Sequence, residues 1–379
     1  MKIQIDGTNT QNKGAELMLY GILEEIKTKF PNAVVTYNPN SLNNRIPIET
    51  SLKFTERFFL KYSRYIVAVF SRLKLPLTYF KPWFMDKPTN VLLDAGGFQF
   101  SDQWNHSEEY LNTLDKYYKK HKAQGAKIVL LPQAFGPFET TSGKNVVKII
   151  NEHVDIIIAR EDISYKHLLS GGANKDKLWC YPDFTVRVNG VFPERYNELK
   201  GKVCIIPNRK MLTHTKSGAN QYIEFIKMFC VEIEKKGKDV FILNHEGKRD
   251  LELCKKINAS LGNKYSIATG LNAKEVKGII GASHMVLSSR YHGVASALSQ
   301  GVPCLATSWS HKYNKLFEDY ELKDMVLDVE ISKKDISEKI DTFFNREQEI
   351  RNQLIVKKEH LYNSTTEMWD SVWKKVENN

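Results

Sequence analysis

At 379 residues the chain exceeds what one hydrophobic core usually serves, so two domains are expected. A hydrophobic fraction of 42% and a charged fraction of 26% are those of a soluble globular protein, and no apolar run is long enough to span a membrane. The formal charge of +11 admits nucleic acid, an anionic membrane or an anionic substrate as partner, but no nucleic-acid-binding module or basic recognition helix is present, which argues against the first.

The opening MKIQIDGTNT has no apolar stretch after its lysine, so it reads as a first strand over residues 3–6 and not as a secretory signal; a cytoplasmic protein is expected. GTNTQNKGAELML follows, a glycine-bearing turn into a helix over 15–30. Asn9, Asn12 and Gly14 suit a loop whose helix end favours an anion or a polyhydroxyl ligand, but taken alone the segment reads first as a plain strand–helix turn. Glu16 is a base candidate or simply complements the helix dipole. A second strand is predicted over 33–37. Residues 51–82 carry seven lysines and arginines against Glu56 alone, interleaved with aromatics; they suit an anionic membrane surface or the solvated face of an ordinary helix.

LLDAGGFQFSDQW then gives a strand over 91–94 ending on Asp94, with Asp94 and Gln99 as candidates for sugar hydroxyls or as members of a tight turn. A helix over 107–124 leads to a strand over 127–131 and a Pro/Gly-broken loop, LLPQAFGPF, with Gln133 expected at a cleft rim. After a helix over 145–153, the strand 156–159 runs into AREDISY. Arg160 there is placed to fork onto phosphate or carboxylate, or else to pair with Asp162. A helix over 163–169 and the turn YPDF, with Asp183 as a cleft candidate, close the first series.

The polar stretch 186–202 separates this series from a second one. Strands are predicted over 203–206, 240–244, 285–288 and 302–307, and helices over 221–236, 251–261, 273–281, 293–299 and 337–372. Alternation of short apolar strands with helices predicts an α/β fold of two Rossmann-like, doubly wound parallel sheets facing a cleft: residues 1–190, residues 200–345 and a C-terminal helical segment 346–379 that can cross back to the first domain. The richest segment is MVLSSRYHGVASALSQGVPCLATSWSHKY. Ser289, Arg290 and His292 fall where a strand ends and a helix begins, an anion pocket with an imidazole as proton donor beside it. His311 and Lys312 either add a second cationic wall or lie exposed. The five cysteines, Cys180, Cys204, Cys230, Cys254 and Cys304, show no CxxC spacing, so neither a zinc site nor a disulfide framework is indicated.

SSRYHGVASALSQGVP followed by SWSHKY resembles the signature of the polysaccharide pyruvyl transferase family, and NKGAELM, DAGG, LPQAFGPF and AREDISY occur in that family's order. The resemblance implies a GT-B-like pair of domains, the first on the acceptor side and the second carrying the donor site. It implies phosphoenolpyruvate as donor and co-substrate, no further cofactor or metal, and a lipid-linked glycan acceptor at the inner face of the cell membrane. By motif Arg290 matches the family's donor-binding arginine, His292 its catalytic histidine and Arg160 a second arginine of the site. A GT-B glycosyltransferase using a nucleotide-sugar and a non-catalytic glycan- or membrane-binding protein are the alternatives.

Overall fold

The computed structural model describes residues 1–10, 12–37, 88–213, 218–307, 312–330 and 332–377. Segment 51–82, His311 and the side chain of Lys312 lie outside the described residues. Apolar runs such as VLLD, IIIA and VCII are too short for helices and are buried along their whole length, as strands of a sheet covered on both faces must be. They assemble into two compact units. The first is Met1–Thr10, Ile22–Asp183 and Met368–Asn379; the second is Gln11–Gly21 and Phe184–Glu367.

The first unit holds β1 (Lys2–Asp6), β2 (Val34–Tyr37), β3 (Val91–Asp94), β4 (Lys127–Gln133), β5 (Ile156–Ala159) and β6 (Leu178–Cys180), ordered β2-β1-β3-β4-β5-β6 and parallel throughout. The order reverses between β1 and β3, where Asp6 and Asp94 stand in register as the two strands end. Helices α1 (Lys13–Lys29), α2 (Glu108–Ala123), α3 (Thr141–His153) and α4 (Asp162–Ser170) follow in chain order, α1 belonging to this unit from Ile22 onward. Ser107 and Thr140 cap α2 and α3 by accepting first-turn amides, which is why these helices begin where they do.

The second unit holds β7 (Val203–Ile206), β8 (Val240–Leu243), β9 (Ile267–Ala268), β10 (Met285–Ser288), β11 (Cys304–Thr307) and β12 (Val326–Leu327). Its order, β12-β11-β10-β7-β8-β9, is that of a Rossmann sheet, with the reversal between β7 and β10. Its helices are α5 (Gly218–Lys235), α6 (Gly247–Ser260), α7 (Ala273–Gly281), α8 (Tyr291–Leu298), α9 (Lys312–Asp319), α10 (Lys333–Asn345) and α11 (Glu347–Glu377). The side chain of Asn272 and that of Glu275 close a capping box on α7.

The two doubly wound parallel sheets expected from sequence are present. β6, β9 and β12 were not expected; each is two or three residues long and lies at a sheet edge, too short to show a pattern. The predicted helix 337–372 is two helices, α10 and α11, broken at Arg346, whose guanidinium bonds Asp324 and Glu349. Trp369 and Trp373, near the end of α11, are fully buried, and Trp373 Nε1 donates to Glu25 at 3.0 Å. Cys204, Cys230, Cys254 and Cys304 are buried, and burial pushes each thiol up, so they are inert as thiolates; Cys180 is exposed. Among the described residues no helix is long and apolar enough to cross a membrane.

Candidate active site

In the second unit the site grows from the end of β10. Ser288 Oγ accepts the Arg290 amide at 3.0 Å and donates to the Arg290 carbonyl at 2.9 Å, folding the chain sharply from strand into α8. Gly293 makes room for this: a Cβ there would lie 2.5 Å from Ser288 Oγ. Ser289 is almost wholly buried. Its hydroxyl lies 2.6 Å from both Tyr222 Oη and Thr307 Oγ1, and its carbonyl accepts from Asn208 Nδ2 and Tyr313 Oη, each at 2.8 Å. Sequence placed Ser289 among the donor contacts. Its hydroxyl is instead engaged on both sides within the core, so it holds the turn in place.

Arg290 occupies the N-cap position of α8 without offering a side-chain acceptor to the first turn. Its Nη1 bonds Glu246 and its Nη2 bonds Asp250, while its buried Nε has no hydrogen-bond partner. The guanidinium is thus clamped, its charge balanced by two carboxylates. Burial holds the Asp250 carboxyl above the usual carboxylate range, with the Arg290 guanidinium pulling the other way. His292, half-buried in the first turn of α8, meets the Tyr291 ring edge-on at 5.4 Å.

The start of α1 reaches this cluster. A Cβ at Gly14 would lie 2.5 Å from His292 Cγ, so only glycine lets the helix end lie against the imidazole. Asn12 Oδ1 accepts the amides of Gly14 and Ala15 at 2.9 and 3.3 Å, which makes it the cap of α1. Glu16, almost wholly buried, is ion-paired to Lys13. His245 lies two residues past the end of β8 and is 5% exposed, and its Nδ1 has no hydrogen-bond partner. Burial first, then the charges of Arg290, His292 and Lys13, hold its pKa well below the ordinary histidine value.

The first unit gathers the remaining candidates at the ends of β1, β3, β4 and β5. Asp94 Oδ1 accepts from Gly96 N at 2.9 Å and Gln99 Nε2 at 2.6 Å. Burial, and secondarily the facing Asp6, push its carboxyl up to about 7. A Cβ at Gly7, whose φ is +73°, would lie 2.6 Å from Asp94 Oδ1, so the loops after β1 and β3 are sealed against each other. Asp94 and Gln99 therefore build a turn, the blander of the two readings. Gln133, expected at a rim, is fully buried, and neither its amide nitrogen nor its amide oxygen has a hydrogen-bond partner. Arg160 lies 3.5 Å from Glu161 and 3.7 Å from Asp183, whereas the ion-paired reading of the sequence names Asp162 as the partner. Asn9 is half-buried in the loop after β1. Among the described residues Asp115, Glu152 and His153 could meet on a cation, but they lie on α2 and α3, away from the strand ends, and His153 already bonds Asp115.

Sequence reasoning brought Arg290 and His292 to one place and missed Lys13, His245, Glu246 and Asp250. His245 and Glu246 follow a predicted strand in the same unit, a signal that was available; Lys13 and Asp250 reach the site through the fold alone.

Solved structures share this architecture at low identity, which makes the likeness one of fold, that of the GT-B class. UDP-GlcNAc 2-epimerase from Neisseria meningitidis bound to UDP-GlcNAc superposes with a TM-score of 0.56 at 10% identity, over 99% of this chain and 100% of that one. HepE of Anabaena in complex with UDP and glucose gives 0.55 at 10% identity over the full length of both chains. A putative UDP-N-acetylglucosamine 2-epimerase from Listeria monocytogenes gives 0.55 at 11%, over 93% and 90%. No curated protein matches the sequence. The sequence profile of the polysaccharide pyruvyl transferases matches residues 12–311, from the cap of α1 past the Arg290–His292 turn, and the chain belongs to that family.

Proposed function

We propose that the chain transfers the pyruvyl group of phosphoenolpyruvate to a sugar of a glycan, forming a ketal and releasing phosphate. The observation that carries this reading is the Arg290–His292 turn: a clamped guanidinium, an imidazole two residues on, and a helix N-terminus, all at the reversal point of a Rossmann sheet. Phosphoenolpyruvate presents a phosphate and a carboxylate on a small frame, which suits a rigid cationic edge. His292 would give a proton to the methylene carbon, leaving an oxocarbenium-like carbon that a sugar hydroxyl attacks. Departure of phosphate and attack by a second hydroxyl close the ketal. Of the two hydroxyl protons, one balances the new methyl group and the other leaves with phosphate. General-acid catalysis of this kind contributes roughly 100- to 10,000-fold in rate, and Arg290 would steady the leaving phosphate electrostatically.

The family resemblance points to a lipid-linked acceptor. The test offers phosphoenolpyruvate with a panel of lipid-linked and simple glycosides and follows pyruvyl addition by mass spectrometry together with phosphate release. A pyruvylated product is the expected result. No product from phosphoenolpyruvate, alongside turnover of a UDP-sugar, would replace this reading with glycosyl transfer.

A further inference from the structure

His245 is not used in the scheme above, yet it sits within the same cluster. It is a buried imidazole with an unpartnered Nδ1, placed at the carboxyl end of β8, beside the strand whose neighbour β10 carries the Arg290 turn through β7. The charged groups that bear on it are Arg290 and His292 from α8 and Lys13 from α1. Two of these cations are already matched. Arg290 is bonded to Glu246 and Asp250, and Lys13 is bonded to Glu16. The resting cluster is therefore poor in net positive charge for a ligand bearing both phosphate and carboxylate. Such a ligand is held more tightly if the cluster gains a proton on binding, and an imidazole kept neutral by burial and by neighbouring cations can take one when an anion offsets those cations.

We propose that His245 is a further ligand of the donor's phosphate group, binding it through Nδ1 as an imidazolium formed with a solvent proton when the anion arrives. The inference rests on the proposed donor. It adds proton-coupled donor binding and a second imidazole distinct from the one that protonates carbon. A charge-assisted hydrogen bond from a buried imidazolium is short and strong, and its loss weakens binding by roughly 10- to 100-fold.

The test is calorimetry of phosphoenolpyruvate binding to the full chain, run in two buffers of different ionisation enthalpy, for the unaltered protein and for His245→Asn. The expected result is net proton uptake by the unaltered protein. The His245→Asn chain should show that uptake diminished and a dissociation constant raised roughly 10- to 100-fold. Unchanged uptake in the variant overturns the inference whatever the affinity, because a merely structural histidine would alter affinity without altering the proton count. Should the variant not fold, nitrogen NMR of labelled histidines reads the same point once the His292 signal is identified from the His292→Gln chain: a ring other than His292 that turns from neutral to imidazolium on adding phosphoenolpyruvate supports the inference, and its absence overturns it. Inorganic phosphate as a second titrant separates the two ideas. Phosphate taken up with His245-dependent protons, with no binding of phosphoenolpyruvate, would keep this site and remove the proposed donor.

Discussion

Replacing Asp94 by asparagine should stabilise the protein at mildly alkaline pH and do little in acid. The carboxyl is buried at the end of β3, in register with Asp6, and burial with that facing carboxylate pushes its pKa from 3.8 up to about 7. A carboxyl whose folded pKa lies above its unfolded one contributes stability that is fully present below the unfolded pKa and is lost as pH rises through the folded one. At ~1.36 kcal/mol per pH unit, the gap between 3.8 and about 7 corresponds to ~4 kcal/mol. Roughly 2 to 3 kcal/mol of this falls between about pH 5 and about pH 8. Oδ1 accepts from Gly96 N and Gln99 Nε2 at short distance while Oδ2 meets the Tyr118 hydroxyl at 3.5 Å, so the proton belongs on Oδ2, and the amide of asparagine supplies an N–H at that place without titrating, to which Tyr118 Oη can turn as acceptor. Urea unfolding of both proteins at the two pH values, followed by circular dichroism, should show the variant gaining by that amount as pH rises, with an unchanged denaturant slope. Equal stability differences at the two pH values, or a variant that loses ground at the higher one, would mean Asp94 is an anion in the folded protein and would refute the reasoning.

His292→Gln should lower kcat by roughly 100- to 10,000-fold with a small change in phosphoenolpyruvate binding, and steady-state kinetics with wild-type turnover would end the general-acid role. Arg290→Ala removes the cation between Glu246 and Asp250 and leaves two carboxylates facing the donor, so KM for phosphoenolpyruvate should rise roughly 30-fold or more. Adding Glu246→Gln to that variant should recover part of the loss; a further rise in KM would show that the carboxylate is needed for something other than clamping the arginine. Gly14→Ala pushes a methyl group into the His292 ring, and a displaced imidazole should lower kcat about 100-fold while melting shifts by a few degrees at most; unchanged kcat would show that the α1 end yields freely.

Much of the fold was legible because the central strands are short, largely apolar runs, such as IIIA and VCII, and a sheet buried on both faces leaves that signature. What escaped was either too short to carry a pattern, as with β9 and β12, or continuous with its neighbour in helix propensity, as at Arg346, where a polar run of good helix formers hides a break made by tertiary ion pairs. At the site, Arg290 and His292 could be read because they lie two residues apart on one turn. Asp250 could not, since its approach to Arg290 depends on where α6 packs. Ser289 was misread because a serine at a strand end gives no sign, in sequence, of whether its hydroxyl faces a ligand or Tyr222 and Thr307.

The two sheets treat their reversal points in opposite ways, and that difference explains where the charged chemistry collects. In the first unit the loops after β1 and β3 are drawn together at Gly7 and Gly96 around a carboxyl that favours its proton beside the Asp6 carboxylate, which leaves a closed turn. In the second, the corresponding place between β7 and β10 is filled by neutral groups, the Tyr222, Ser289 and Thr307 hydroxyls and the Asn208 amide, joined by hydrogen bonds of 2.6 to 2.8 Å. Such a network fixes the backbone of residues 288–290 without placing a charge beneath it. Arg290 and His292 then leave a rigid base as the only strongly polar groups of that turn, and Glu246 and Asp250 set the guanidinium's direction from a second helix. A site that must hold a small polyanion in one orientation while a proton reaches carbon needs that kind of support: the immobile part neutral, and the charges confined to the groups that touch the ligand.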